Sequence, residues 1–231
     1  MKAKTLNGRL LCVSGAAYSI ICNGHAPSYA PDNIYDAGAG FVQAPSVVVR
    51  GTSQTDACLI GDIDDGVVVA FRGTLPFDIH QVPTLFDWLQ NFDAQPIAAS
   101  EFFPGCVHSG FFSAFTNLRQ SLVNELNSRS GKISAAKPLL ITGHSKGGAL
   151  AALLGWHATD SLGIPVKVVT FAAARSGDAA FATAYDAKRI DHVRYEYGND
   201  ISTPAAVPRR LYRSSRVHPA HRFTVPELAT A

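Results

Sequence analysis

The sequence predicts an α/β fold, with a mixed, mostly parallel central sheet and helices on both faces. Three observations carry this. Strand-like and helix-like runs alternate through the second half of the chain, as parallel βαβ units do. The first half holds three β-runs, two of them joined by the tight-turn signal Asp64-Asp65-Gly66, which reads as an antiparallel section. Between the halves, an apolar β-run stops at Gly143 and a helix-forming Ala/Leu run starts just after Ser145.

Taken in order, residues 10–22 have the apolar spacing of an amphipathic helix. Residues 23–45 are rich in Pro, Gly, Asn and Asp and read as an irregular surface loop. The β-runs follow at Ser46–Arg50, Ala57–Ile63 and Val67–Arg72. Leu75–Phe86 is apolar but broken by Pro76 and Pro83. It suits a lid or cleft rim, or equally a loop that tucks its Phe and Leu into the core. Residues 98–104 read as a weak link. Phe115, Leu118, Leu122 and Leu126 recur at helical spacing, and Ser130-Gly131 ends that helix. The strand before Ser145 and its helix to about Thr159 come next. Then come a strand at Val166–Phe171, a helix at Ala179–Asp186 and a strand at Asp191–Tyr197. The tail, Ile201–Ala231, has no convincing β-run; a short helix could start at Pro226, with Thr224 as its cap.

The chain has 231 residues, 47% of them hydrophobic and 16% charged, which suits one domain, 1–231, with a large core and a divergent tail, 201–231. A formal charge of +2 is too small to imply a nucleic-acid partner. Met1-Lys2-Ala3-Lys4 has the charge of an export signal, but Asn7, Gly8 and Arg9 break any apolar core behind it. No run has membrane-spanning length. A cytoplasmic or a mature secreted protein both fit. Cys12, Cys22, Cys58 and Cys106 have no metal-like spacing and read as small buried hydrophobes.

Gly143-x-Ser145-x-Gly147 is the pattern of a nucleophile elbow. A serine there sits on a sharp strand-to-helix turn whose flanks must be small, and the helix N-terminus offers N–H groups to developing negative charge. Serine needs a base, and the base an orienting carboxylate. In this arrangement the acid and then the histidine follow the serine in the chain. Asp200, after a strand and the turn Gly198-Asn199, is the preferred acid; Asp178 reads as a helix cap. His218 and His221 then remain as bases. His157 and His192 read as surface or packing residues, and His144 as packing beneath the turn. His25, His80 and His108 come too early. The backbone N–H of Lys146 and the N–H or hydroxyl of Thr74 are the expected oxyanion donors.

Four ordered blocks, followed by Val193–Asp200, extend the pattern. They are Ala70-Phe71-Arg72-Gly73-Thr74 with Asp87-Trp88; Val107-His108-Ser109-Gly110-Phe111; Thr142-Gly143-His144-Ser145-Lys146-Gly147-Gly148-Ala149; and Thr170 to Phe181. Over roughly residues 10–200 the chain resembles the class 3 (fungal-type) lipases of the α/β-hydrolase fold. The resemblance implies Ser145 as nucleophile, Asp200 as triad acid, Thr74 and Lys146 as oxyanion donors, and a lid from Leu75 to about Leu89. Through residues 75–89 it implies transient contact with a lipid interface.

Three positions depart from the family. Lys146 stands where an apolar residue is usual, and a cation there opposes the helix dipole. Its ammonium is expected to face the substrate cleft, favouring polar or anionic acyl esters, or to reach solvent. Ala172 and Ala174 replace a usual Gly and Pro, read as a packing matter. Only 31 residues follow Asp200. There His218, with Phe223 five residues on, fits the family's His-then-aromatic pattern and is preferred over His221, which lies nearer the expected last helix.

The leading expectation is a serine carboxylic-ester hydrolase acting on acylglycerols or other acyl esters, with no metal or organic cofactor. The alternatives are an esterase or acyltransferase for small or aromatic esters, and a weakly active or non-catalytic binding protein if the tail lacks a working histidine.

Overall fold

The computed structural model describes residues 1–22, 26–51, 55–75 and 95–196, and the backbone of 217–219. Helix α1, Leu6–Ala16, is capped by the Thr5 hydroxyl and runs into a 3-10 turn, Ala17–Ser19. The chain then turns into β1, Ile20–Ile21, so the expected single helix over 10–22 is shifted and shortened. β1 pairs with β2, Ser28–Tyr29.

Helix α2, Asn33–Ala39, occupies what the sequence suggested was loop. Asp32 caps its first turn, accepting from the N–H groups of Ile34 and Tyr35 at 2.8 and 3.0 Å. Gly40, left-handed at φ 68°, ends it. The residues that looked like loop formers are this helix's punctuation.

The three expected antiparallel strands form as β3 (Ser46–Arg50), β4 (Asp56–Ile63) and β5 (Gly66–Phe71). β6 (Pro96–Ala98) and β7 (Cys106–His108) make a small separate pair. Phe103, between them, is 1% exposed, so residues 98–104 are anchored in the core and are no weak link. Helix α3 (Ser109–Ser128), β8 (Leu139–His144), α4 (Lys146–Asp160), β9 (Val166–Phe171), α5 (Ala179–Ala187) and β10 (Asp191–Glu196) follow as expected. The tail does hold a strand, β11 (Val217–Pro219), paired in parallel with β10. Its three residues include a proline, too short and broken a run to stand out. The suggested helix at Pro226 lies outside the described residues.

Among the described residues the main sheet has seven strands in the order β11-β10-β9-β8-β5-β4-β3. The β3–β4 and β4–β5 pairs are antiparallel; from β5 through β11 every pair is parallel. Alternation divides the core. Val67, Val69, Phe71 and Ile141 face α3 and α4, packing with Leu118, Leu122, Leu150 and Leu153. Val68, Ala70, Leu140 and Val169 face α1, packing with Leu10 and Val13. Each fully buried Leu contributes roughly 1.5–3 kcal/mol of transfer free energy. The carboxyl ends of β5, β8, β9 and β10 share one edge, where such sheets place ligands. All four cysteines are unpaired. No helix among the described residues is long and apolar enough to cross a membrane.

At the end of β9, Ala172 has φ 45°, a left-handed backbone, while its N–H donates to the Tyr195 carbonyl at 2.8 Å. The exchange of Gly for Ala therefore carries a conformational cost besides any packing effect. A left-handed Cβ costs roughly 1–2 kcal/mol, against about 0.4–1 kcal/mol for the looser unfolded chain of a glycine variant. Ala172→Gly is expected to stabilise the fold by up to ~1 kcal/mol and to raise Tm by about 2–4 °C. A lower Tm in a thermal melt would mean that the methyl group's packing outweighs the strain.

Candidate active site

β8 ends at His144 and α4 begins at Lys146, so Ser145 alone makes the turn, with φ 55° and ψ −123°. That backbone is sparsely populated for any residue with a Cβ and costs on the order of 1–3 kcal/mol. Backbone hydrogen bonds hold it, among them an Ala149 N–H that donates to the Ser145 carbonyl at 3.3 Å. The Ser145 N–H donates to the Phe171 carbonyl at 3.1 Å, and the Ser145 carbonyl accepts from Gly148 N–H at 3.0 Å and Ala174 N–H at 3.3 Å. The glycines are required by contact: a Cβ on Gly143 would strike the backbone of Gly147, one on Gly147 the carbonyl of Phe71, and one on Gly148 the Cβ of Ala173. β8, α4 and the end of β5 therefore cross as closely as backbones can. Ser145 is half-buried at the turn. No side chain caps α4, whose first N–H groups lie just behind the serine.

Thr74 follows β5 at the same edge. Its Oγ1 is buried, with no hydrogen-bond partner among the described residues. An unsatisfied buried hydroxyl costs roughly 1–3 kcal/mol. Before it, Arg72 is 3% exposed. Its guanidinium donates to the carbonyls of Ile20 at 3.0 Å and Thr55 at 3.3 Å, fixing the start of the loop. Gly73 lies against the Tyr18 hydroxyl and the His144 carbonyl, leaving no room for a side chain.

His144 does not pack beneath the turn. It is exposed, and its Nδ1 shares a 2.8 Å hydrogen bond with the Tyr18 hydroxyl. Burial pushes that hydroxyl up to about 12, with the nearby Arg72 charge opposing, so Tyr18 stays neutral.

The Lys146 ammonium does not run out to solvent. Its Nζ pairs with Asp56 Oδ1 at 2.9 Å, and the two side chains are only 12% and 9% exposed. Asp56 Oδ2 accepts from Asn117 Nδ2 of α3 at 3.0 Å. The apolar run begins at Ala57, so the sequence pattern leaves Asp56 outside the strand. A lysine at an apolar position with a lone acid at the head of a buried strand was the available signal.

Asp200 and His221 lie outside the described residues, as does the segment 76–94, which holds most of the expected lid. His218 lies in β11, in register opposite Tyr195 of β10. Asp178 is a cap: Oδ1 accepts from Phe181 N–H at 2.9 Å and Oδ2 from Cys106 N–H at 3.1 Å. His108 caps α3, accepting from Gly110 N–H at 3.1 Å. His157 is buried between Phe102 and Phe115. His192 is buried and bonded to the Thr170 hydroxyl at 3.0 Å. Among the described residues no group of three or more His, Cys, Asp or Glu gathers as a metal site.

The family model for lipase (class 3) matches residues 68–209, which span the elbow, the Thr74 loop and the sheet edge between them. The chain belongs to the class 3 lipase family. Among solved structures it is similar to a lipase from Rhizopus microsporus var. chinensis, at 21% identity and TM-score 0.65 over 90% of this chain and 72% of that one. The triacylglyceride lipase of Rhizomucor miehei matches at 19% identity and TM-score 0.63, over 90% and 78%. A nonglycosylated lipase from Yarrowia lipolytica matches at 18% identity and TM-score 0.66, over 85% and 72%. At these identities the likeness speaks to the fold, that of the α/β-hydrolases. No curated protein matches the chain. Family membership marks this lipase-type chain as a carboxylic-ester hydrolase.

The buried histidines give the fold an acid limit. Burial, helped by the Arg194 charge, pushes His192 down to about 3. In the unfolded chain it titrates near the ordinary 6.5. Between those values the unfolded state binds the proton and the folded state does not, so stability is full above pH 6.5 and lost as pH falls toward 3. Relative to His192→Gln, wild-type protein is expected to lose about 1.4 kcal/mol per pH unit between about pH 6 and 4. Urea melts across that range check this; parallel pH slopes for the two proteins would contradict it.

Proposed function

We propose that the protein is a serine ester hydrolase that works through an acyl-enzyme on Ser145. The observation that carries this is the strained turn: Ser145 at φ 55°, half-buried at the carboxyl edge of the sheet, with a Thr74 hydroxyl past the same edge that has no partner among the described residues. Strain of this kind is retained where it presents a side chain for chemistry.

In this reading the Ser145 hydroxyl attacks the ester carbonyl as a histidine takes its proton. The carbonyl oxygen, now negative, is held by the backbone N–H of Lys146 and by Thr74. Collapse expels the alcohol, which receives the proton from the histidine. Water then adds to the acyl-enzyme by the same route and frees the carboxylic acid. Asp200 orients the imidazole. Acylglycerols and other lipid esters are the substrate class that the family suggests, with residues 75–89 contacting the lipid surface.

The base is supplied by the tail. β11 bears on the choice between its two histidines. His218 is a strand residue opposite Tyr195, whereas His221 comes two residues after Pro219, beyond the strand's carboxyl end, where site residues of such sheets belong. We therefore assign the base to His221, against the sequence-based preference for His218, which stays its competitor.

Hydrolysis of p-nitrophenyl butyrate tests the scheme. Ser145→Ala is expected to abolish turnover, and Thr74→Val to lower kcat by about 10²-fold. His221→Ala is expected to approach the serine variant while His218→Ala keeps most activity. Full activity in both histidine variants would refute a tail base. A wild type with no turnover would instead favour a protein that binds esters without cleaving them.

A further inference from the structure

The elbow is tied firmly on one side. The Ser145 N–H and carbonyl bond to Phe171 and Ala174, at and beyond the end of β9. Thr74 approaches from the other side, past the end of β5. For two donors to grip one oxygen, the turn must also be fixed toward β5 and β4. Gly147 rests against the Phe71 carbonyl there, a contact that sets how near the backbones come but gives no directional bond. β8 is laddered to β5 only as far as Gly143 opposite Phe71; past that pair, among the described residues, a side-chain link toward β4 comes from Lys146. Its backbone N–H is an oxyanion donor in the scheme above, and its side chain runs back to Asp56 at the head of β4. Asp56 is itself anchored: β4 is paired to β5, the Arg72 N–H donates to Ala57 O at 2.9 Å, and Asn117 of α3 holds the second carboxylate oxygen.

We propose that the buried Lys146–Asp56 ion pair is a positioning device that sets the Lys146 N–H against Thr74, so that the oxyanion site is formed before substrate arrives. The role rests on reading Ser145 as the nucleophile. Its physical basis is that a buried ion pair, oriented on both sides by fixed elements, holds the first residue of α4 in one place. The pair also neutralises a cation that would oppose the positive end of the helix. Asp56 and Lys146 act here as positioning residues; only the backbone N–H of Lys146 touches the reacting oxygen.

Removing one partner leaves the other charge buried and alone, which threatens folding. The decisive variant is therefore the neutral double, Lys146→Met with Asp56→Asn, measured beside both single variants. Steady-state hydrolysis of p-nitrophenyl butyrate at 25 °C gives kcat and KM, and thermal melts give Tm. The expected result is a kcat lower by about 10-fold or more in the double variant, with KM within about twofold of wild type. Single variants that fold should lose no less. A double variant with lower Tm but wild-type kcat would make the pair merely structural and overturn the proposal. A loss carried wholly by KM would overturn it too, since the pair would then serve substrate binding. A wild type that does not hydrolyse the ester overturns the hydrolase reading and, with it, this role.

Discussion

The structure depends on one backbone conformation. Ser145 sits at φ 55°, ψ −123°, and nothing intrinsic to serine favours that geometry. It persists because β8 and α4 can approach only if Gly143, Gly147 and Gly148 lack side chains, and because the Phe171 carbonyl and the Ala174 N–H bind the serine's own peptide groups. A parallel sheet makes this affordable. With β5 and β9 flanking β8, the turn has a neighbour on each side to hold it, and the hydrophobic packing of α4 on the sheet drives the close approach.

The same edge collects the other polar groups near the turn. Arg72 bonds back to Ile20 and Thr55, Tyr18 bonds to His144, and Lys146 to Asp56. Each ties the elbow or the Thr74 loop to an element outside the sheet's parallel half: the 3-10 turn and β1 that follow α1, or the head of β4 and the residue before it. Acids and histidines that could have competed for a catalytic role are used up by structure. Asp178 spends both oxygens on backbone N–H groups, and burial beside Thr170 keeps His192 neutral.

Much of this was legible in the sequence because it rests on local signals. The elbow is written in glycine spacing, the antiparallel section in apolar runs around Asp64-Asp65-Gly66, and the Asp178 cap in its place before a helical run. The misses have physical causes. Helix α2 was hidden because Asp32 and Gly40, its caps, also read as loop residues. β11 is too short for periodicity and gains its order from pairing with β10. Phe103 anchors a stretch whose sequence looks like a link, because burial is a tertiary fact. Lys146 was the hardest: its partner lies 90 residues away, and no local rule places a lysine inside. At Ala172, a residue type alone does not reveal a φ of 45°, which the end of β9 imposes.

The central claim is that the strained turn makes Ser145, and not another hydroxyl, the reactive group. The direct measurement is stoichiometric labelling by a fluorophosphonate, with the modified peptide located by mass spectrometry. One adduct per chain, placed on Ser145 and blocked by prior incubation with substrate ester, is the predicted result. An adduct on a different residue, or none at all in folded protein, would contradict the account.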